Sequence, residues 1–347
     1  MRFIKAFVLL CLSTSLFALE ELQTKQAIHK IKYISKDGKI TYYQKESGEF
    51  QMSTNFNFSN LLKLKPRTQY SVFSSDKEER IVISANEGFH TNQNLQKDNK
   101  LFLSKLGSSI KPVFLDTGVA PKLHLNDSWL SFYQFKNRSI VFQSFNKNIK
   151  PRRIDIPKGY TSYFTPETIM ITPNDALYTA LNKNGHQGLF LYSFIDNKFD
   201  LIYKTKSKAH KIEICLINDN LYIGDFPYLS SGKKSLIISM KLFEDQFKDY
   251  KIIYSSSLPD IGNMICDKDR LYFVKTTKLD TNISSRKTEA AEFILKEKKI
   301  NILSDLGFVS HLIMMNNKLL IPYRGKFLIA KGENKLKELE TMEESKP

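Results

Sequence analysis

The sequence contains little cysteine, and a zinc module or a disulfide-dense scaffold is therefore excluded. Only three cysteines occur in 347 residues, without a Cys-x-x-Cys pair or a Cys/His metal-ligand spacing. If Cys11 leaves with an N-terminal signal, Cys215 and Cys266 remain, both in apolar runs. They are out of phase by one residue in the repeat described below, so we expect them to face opposite ways and to stay free thiols. A bridge is the alternative, because exported proteins form disulfides.

Long apolar runs are absent after the first eighteen residues. Arg2 and Lys5 precede an apolar centre at residues 7–12, and Leu16-Phe17-Ala18 suits a signal-cleavage site. An apolar stretch this short does not span a bilayer as a helix. We therefore predict a secretory signal peptide at residues 1–18, no transmembrane segment in the mature chain, and a periplasmic or secreted location.

Familiar catalytic signatures are missing as well. The chain has no Gly-x-Ser-x-Gly, no glycine-rich phosphate loop and no His-Glu-x-x-His. His124 and His311 lie on or just before apolar runs and are expected to be hydrogen-bonded core residues, whereas His186 and His210 are expected in solvated turns. No metal and no cofactor are predicted. The sequence leaves open whether the protein is an enzyme, and we favour a non-catalytic protein.

Acidic residues are in deficit. Lysine and arginine number 52 against 36 aspartates and glutamates, which gives a formal net charge of +16. An exported protein of this charge is attracted to anionic lipids, acidic glycans or an acidic protein. Nucleic acid is not an expected partner for an exported chain.

What the chain does contain is a repeat. A polar turn followed by an apolar, strand-like run recurs seven times, and the first apolar residues stand at 40, 81, 129, 177, 221, 271 and 319. The spacings are 41, 48, 48, 44, 50 and 48 residues, a period that fits one four-stranded propeller blade. In the fourth copy the pattern predicts strands at 168–172, 176–181, 189–194 and 199–203. Four strands in so short a segment leave no room for a helix.

We therefore predict an all-β fold, a seven-bladed β-propeller over residues 19–340 in one domain, with a solvated tail at 341–347. Six blades are the fallback, because the first copy, with strands expected at 28–34, 40–44 and 50–53, is the least regular. Helical patterns are scarce. The one candidate turn, Glu289-Ala290-Ala291-Glu292, is interpreted as a loop before a strand at 293–295.

One hairpin carries a family resemblance. Ser35-Lys36-Asp37-Gly38-Lys39-Ile40-Thr41-Tyr42 resembles the Ser-Pro-Asp-Gly-Lys-x-Ile-Ala-Phe hairpin of TolB-type periplasmic β-propeller repeats, and Phe73-Ser74-Ser75-Asp76 with Arg80-Ile81-Val82 is more loosely similar. The proline is replaced in both segments, the glycine is kept only in the first, and the N-terminal domain of TolB has no counterpart. The resemblance covers the repeat pattern and implies a propeller used for protein contacts in the cell envelope.

Two sets of residues are candidates for binding. The basic set occupies predicted outer-strand ends and the connections that follow them: Lys63, Lys65, Arg67, Lys150, Arg152, Arg153, Lys204, Lys206 and Lys208. The acidic set begins an Asp-x-Gly motif in loops that lead into inner strands: Asp116, Asp260 and Asp305. These aspartates would form a ring of carboxylates at the channel mouth. Alternatively, each aspartate caps a turn in which glycine takes the left-handed conformation, which we favour.

The predicted function is a non-catalytic, exported propeller that binds a protein partner or an anionic glycan or lipid of the cell envelope through a basic rim. The alternative is a propeller-fold hydrolase, a lactonase or a glycoside hydrolase, with acidic residues at the channel mouth. A glycoside hydrolase requires paired carboxylates in one pocket. A binding protein requires a broad exposed patch.

Overall fold

The computed structural model describes residues 31–33, 39–46, 49–57, 69–74, 80–86, 98–105, 111–125, 128–161, 166–227, 234–243, 246–279, 286–315, 318–323 and 326–330. These residues form strands and turns without a helix, so the predicted all-β fold is confirmed for them. None of them forms a helix suited to crossing a membrane. The predicted signal at 1–18, the tail at 341–347, and Lys63, Lys65 and Arg67 lie outside the described residues.

The described residues form 26 strands, numbered in chain order. They are β1 (Ile31–Tyr33), β2 (Lys39–Glu46), β3 (Glu49–Asn57), β4 (Gln69–Ser74), β5 (Arg80–Asn86), β6 (Asn99–Lys105), β7 (Val113–His124), β8 (Trp129–Gln134), β9 (Ser139–Ser144), β10 (Arg152–Asp155), β11 (Tyr160–Thr161), β12 (Thr168–Thr172) and β13 (Asp175–Asn182). There follow β14 (Gln187–Ser193), β15 (Lys198–Lys204), β16 (His210–Ile217), β17 (Asn220–Pro227), β18 (Ser235–Phe243), β19 (Gln246–Ser256), β20 (Gly262–Asp267), β21 (Arg270–Lys278), β22 (Lys287–Ile294), β23 (Lys299–Ile302), β24 (Ile313–Met315), β25 (Lys318–Tyr323) and β26 (Lys326–Ala330).

The fourth copy of the repeat forms the four predicted strands, β12 to β15, within two residues of the expected bounds. Its middle hairpin turns because the Asn182 side chain accepts hydrogen bonds from the amides of Asn184 (2.9 Å) and His186 (3.0 Å). Gly185 takes φ of 84° in that turn, a conformation that glycine adopts without steric cost. The strand prediction is confirmed for this copy.

The chain divides into two compact units, residues 1–153 and 154–347. The sheet that begins in the first unit has the order β1-β4-β5-β6-β7-β8-β9-β10. Strand β7 pairs with β6 through its first half and with β8 through its second half, and its register shifts between Val119 and Lys122. One continuous strand is thus the outer strand of one repeat and the inner strand of the next. The core between them is apolar: Val82, Leu101, Leu130, Phe132 and Val141.

The first and last copies differ from a complete blade. β2 and β3 form a two-stranded sheet, while β1 pairs with β4 of the following copy, with Ile31 opposite Val72. The last copy contributes the three-stranded sheet β24–β26, and the residues after Ala330 lie outside the described part of the chain. Seven blades therefore stay a prediction.

The second unit contains four successive antiparallel sheets. We call them sheet I (β11–β15), sheet II (β16–β19), sheet III (β20–β23) and sheet IV (β24–β26). Apolar clusters fill the space between neighbouring sheets: Leu177 and Leu189 meet Ile214 and Leu221, and Val274 meets Leu319. Each sheet is too small to bury its apolar faces alone, so its neighbours complete the core.

The state of the two cysteines differs from the sequence prediction. Cys215 on β16 and Cys266 on β20 are joined by a disulfide, with their Cα atoms 5.9 Å apart. Because β16 and β20 belong to neighbouring sheets, the face of one sheet meets the opposite face of the next. The one-residue offset that argued against a bridge therefore points the two sulfurs at each other. The predicted free thiols are wrong.

The segment interpreted as a loop before residue 293 is also a strand. β22 begins at Lys287, and Ala290 and Ala291 are fully buried between β21 and β23. Val274 lies opposite Ala290 in the pairing with β21. Alanine and glutamate favour helices, yet the hydrogen bonds to two flanking strands and the small size of the alanines outweigh that preference here.

Candidate functional site

The inner strands of the second unit begin beside one another at one rim of the stacked sheets. Side-chain oxygens accept a hydrogen bond from a backbone amide at the start of the next sheet: Gln187 from Ile212 (2.6 Å), Glu213 from Met264 (2.6 Å) and Asn263 from Leu312. In an antiparallel sheet of four strands, the first strand begins and the last strand ends at the same edge. The connections between successive sheets therefore lie along this edge. We call this edge the connection rim.

Asp260 lies on the connection rim between sheets II and III and is fully buried. Its carboxylate accepts hydrogen bonds from the Thr276 amide (2.8 Å) and the Tyr254 hydroxyl (2.7 Å), and its own amide donates to Ser235 Oγ (2.7 Å). Burial raises the pKa of Asp260, although these hydrogen bonds act in the opposite direction. The structure places this predicted binding residue where it ties a connection to the strands on either side.

Asp116 lies in the first unit, half-buried on β7, and accepts a hydrogen bond from the Thr117 amide (2.7 Å). The glycine of its motif, Gly118, is required by close approach, because a Cβ there would lie 2.5 Å from the Phe132 ring. The predicted turn with a left-handed glycine is therefore wrong for this motif, because both residues lie within β7 and Gly118 does not have a positive φ.

Asp305 is exposed and follows β23 at the connection rim of sheet III. Its loop is fixed by Glu289, a buried carboxylate that sequence analysis missed. Glu289 accepts hydrogen bonds from Ser304 Oγ (2.6 Å) and from the amides of Leu306 (2.9 Å) and Gly307 (2.7 Å). Gly307 takes φ of 72°, so this Asp-x-Gly motif contains the left-handed glycine that was expected.

Three predicted basic residues lie on β10 or just before it. Lys150 and Arg153 are exposed. The Arg152 guanidinium lies 5.8 Å from the centre of the Trp129 ring, and Arg153 donates a hydrogen bond to Gln134 Oε1 (2.7 Å). Both arginines therefore contact their own sheet as well as solvent.

Lys204, Lys206 and Lys208 lie on the connection rim of sheet I, and all three are exposed. Backbone hydrogen bonds hold their connection against two other loops. Ala209 donates to the Gly185 carbonyl (3.2 Å), and Lys183 donates to the Gly159 carbonyl (3.2 Å). Residues 156–161, 182–187 and 204–210 are thereby held side by side.

These three segments contain no aspartate or glutamate. Their five lysines are all exposed, and we call them the lysine patch: Lys158, Lys183, Lys204, Lys206 and Lys208. Sequence analysis identified only the last three. Lys158 and Lys183 lie 21 or more residues earlier in the chain, and only the backbone bonds between loops show that they belong to the same surface.

A buried polar cluster adjoins the lysine patch, because Tyr203 and His210 flank the segment that carries Lys204, Lys206 and Lys208. Asp225 accepts a hydrogen bond from the Tyr203 hydroxyl and lies 2.5 Å from His210 Nδ1. His210 is only 4% exposed, and its Nε2 has no hydrogen-bond partner in the part of the chain that the structure describes. Burial, reinforced by Asp225, raises the pKa of Tyr203, which therefore remains a donor. The expectation of a solvated His210 is wrong, because this residue starts β16 rather than ending a turn.

His124, His186 and His311 have local roles. His124 is buried with Nε2 2.7 Å from Ser131 Oγ, and burial, with a smaller effect of Lys122, lowers its pKa to about 3. Its predicted core position is confirmed. His186 is half-buried, with Nδ1 2.8 Å from the Thr205 carbonyl. His311 is exposed, so its predicted core position is wrong. Among the described residues, no group of three His, Cys, Asp or Glu side chains is arranged to hold a metal ion.

Comparisons with known proteins identify the fold type. No protein-family model matches the sequence, and no curated protein matches it either. Tricorn protease is similar at 11% identity over 89% of this chain and 33% of its own, with a TM-score of 0.55. A candidate 6-phosphogluconolactonase from Bacteroides fragilis is similar at 12% identity over 89% of this chain and 90% of its own, with a TM-score of 0.51. The β-propeller domain of the trilobed protease from Pyrococcus furiosus gives 10% identity, 74% and 81% coverage, and a TM-score of 0.48.

The chain spans about a third of the length of tricorn protease and nearly the whole length of the lactonase. At these identities the similarity concerns the fold alone. It supports a β-propeller, as the repeat predicted, and it does not single out the TolB type.

Proposed function

We propose that this protein is an exported, seven-bladed β-propeller that holds an anionic ligand on the lysine patch and hydrolyses it. The observation that carries the binding step is the convergence of five exposed lysines from three hydrogen-bonded loops that contain no acidic residue. Hydrolysis is proposed by analogy with the similar protease and candidate lactonase. Binding of a protein or of an anionic envelope glycan or lipid without hydrolysis is the second candidate, and the enclosed position of Asp260 favours it.

The binding free energy can be estimated from the contribution of each exposed ionic contact. One exposed ionic contact contributes about 0.2–1 kcal/mol. Several lysines acting on one multivalent anion therefore give a useful affinity only together. Because exposed charges are screened over about 10 Å at 0.1 M salt, binding should weaken steeply as salt is added.

The binding step is tested with heparin as a polyanionic probe and dextran as the neutral one. We expect heparin to bind and dextran not to bind. The variant Lys204→Ala/Lys206→Ala/Lys208→Ala should lose about tenfold in affinity. The matched control is Lys241→Ala/Lys251→Ala/Lys299→Ala, which removes the same charge from exposed positions outside the three loops. Equal losses in the two variants would mean that only net charge matters, and the proposed patch would be wrong.

The hydrolytic step is tested with 6-phosphogluconolactone and the uncharged gluconolactone. If the patch holds the phosphate, the triple lysine variant should raise KM for the phosphorylated lactone alone and leave kcat unchanged, because uniform binding is lost. Intact heparin binding with no turnover of either lactone would reject a lactonase and favour non-catalytic binding. If the triple lysine variant turns over the phosphorylated lactone as the unmodified protein does, hydrolysis does not depend on the lysine patch.

A further inference from the structure

An open groove of about 630 Å³ runs along the connection rim of sheet III, two sheets away from the lysine patch. Its walls come from the ends of β21 and β23, the start of β22 and the loop after β23. The lining residues other than Glu289 are Thr277, Lys278, Lys287, Ile302, Ser304 and Asp305. Its volume lies within the usual range of small-molecule sites, about 300–1,000 Å³.

One wall of the groove is acidic and held in place. Asp305 is exposed. Glu289 also lines the groove, but it is 4% exposed and its carboxylate accepts three hydrogen bonds from the same loop. The Thr288 amide fixes the loop further by donating to the Gly307 carbonyl (3.1 Å). Asp305 is therefore the carboxylate that this wall offers to a ligand, on a preorganised loop.

A second part of the groove lining is basic. Lys278 ends β21 and Lys287 begins β22, and the two lie opposite each other in the strand pairing. Both are exposed. Among the ion pairs of the described residues, none joins either lysine to Asp305 within 4.0 Å. Charges of both signs thus border the groove without forming an ion pair with each other.

We infer that this groove binds a small zwitterion with an apolar body, of the dipeptide class. The ligand's ammonium group pairs with Asp305 and its carboxylate with Lys278 and Lys287. Ile302, 45% exposed in the same groove, receives the apolar side chain. A ligand with only a negative charge is repelled by Asp305, and one with only a positive charge is repelled by the lysines, so the groove favours a molecule that carries both.

Three matched probes test this assignment by calorimetric titration of the full chain: the dipeptide Ala-Leu, N-acetyl-Ala-Leu and Ala-Leu amide. The second lacks the positive charge and the third lacks the negative charge. We expect Ala-Leu to bind more tightly than either by about tenfold, equivalent to about 1.4 kcal/mol. Equal affinity of the three probes, or no saturable binding of Ala-Leu, would overturn the inference.

Two variants locate the site. Asp305→Asn should reduce Ala-Leu affinity to that of the amino-blocked probe, and Lys278→Ala/Lys287→Ala to that of the amide. The control variants Asp200→Asn and Lys299→Ala change exposed charges outside the groove lining and should leave Ala-Leu binding unchanged. The substituted groove residues are exposed, so circular dichroism should show an intact fold. Loss of affinity in the controls as well would exclude this groove as the binding site.

Discussion

Two neighbouring contacts between sheets of the second unit contain the same type of buried hydrogen bond but differ in the groups that surround it. Sheets I and II pack through Leu189, Ile214 and Leu221, and sheets II and III through Phe226 and Phe273. In both contacts a tyrosine of the outer strand donates a hydrogen bond to a buried aspartate: Tyr203 to Asp225, and Tyr254 to Asp260 (2.7 Å).

The differences lie in what surrounds this bond. The contact between sheets I and II adds His210 to Asp225. The contact between sheets II and III adds the disulfide of Cys215 and Cys266. It also stacks Phe226 on Phe273, with ring centres 6.3 Å apart. The two contacts thus have different anchors: a polar cluster at the connection rim between sheets I and II, and aromatic packing between sheets II and III together with a disulfide that lies toward the far ends of β16 and β20.

The largest expected effect comes from removing the covalent anchor. Cys215→Ala/Cys266→Ala opens a loop with a sequence separation of 51 residues, and loop-closure entropy predicts a loss of about 4 kcal/mol in the free energy of unfolding. Urea unfolding measures it. A reducing agent should destabilise the natural chain and leave the variant unchanged. Identical urea midpoints for the two proteins would show that the bond does not stabilise the contact.

Removing the polar anchor should cost somewhat less. Asp225→Ala leaves the buried Tyr203 hydroxyl and His210 Nδ1 without their acceptor, and such orphaned buried groups cost about 3 kcal/mol in unfolding free energy. Asp225→Asn retains an acceptor and should recover part of the loss. If Asp225→Ala and Asp225→Asn are equally mild, the cluster is not an anchor.

The aromatic packing between sheets II and III is tested at Gly262. This residue has φ of 78°, and a Cβ there would lie 2.5 Å from the Phe226 ring, so Gly262→Ala should destabilise by about 2 kcal/mol. Gly159→Ala is the matched control, because Gly159 has φ of 89° but no atom within 4 Å of the added Cβ. The additional destabilisation by Gly262→Ala, relative to Gly159→Ala, measures the steric collision alone. A thermal melt in which Gly159→Ala is the more destabilising substitution would contradict this packing.

Alkaline pH should destabilise both contacts to a similar extent. Burial, with the adjacent aspartate, raises the pKa of Tyr203 and of Tyr254. Above about pH 10 the unfolded chain releases these protons and the folded chain keeps them, so stability falls by roughly 1.4 kcal/mol per pH unit for each tyrosine. Tyr203→Phe and Tyr254→Phe should each flatten the pH dependence of unfolding by a similar amount. A slope that only one variant changes would show that the two contacts are not equivalent.

Strand positions could be predicted from the sequence where the local pattern is strong. β12 to β15 were predicted closely, because alternating apolar residues and turn-forming Asn, Asp and Gly act within a few residues of one another. Glu289 to Glu292 were misjudged, because only burial between two flanking strands overrides their helical preference. In the candidate site, Lys204, Lys206 and Lys208 were found as a charge run, whereas Lys158 and Lys183 join them only through contacts between loops.

The sequence by itself determined the repeat, the all-β character and the excess of positive charge, since these follow from residue order and composition. The tertiary structure alone decided which distant residues meet. It joined Cys215 to Cys266, enclosed His210 beside Asp225, and held Glu289 under the loop of Asp305. The physical reason is that a strand fixes which way a side chain points, whereas the stacking of one sheet on the next determines what that side chain contacts.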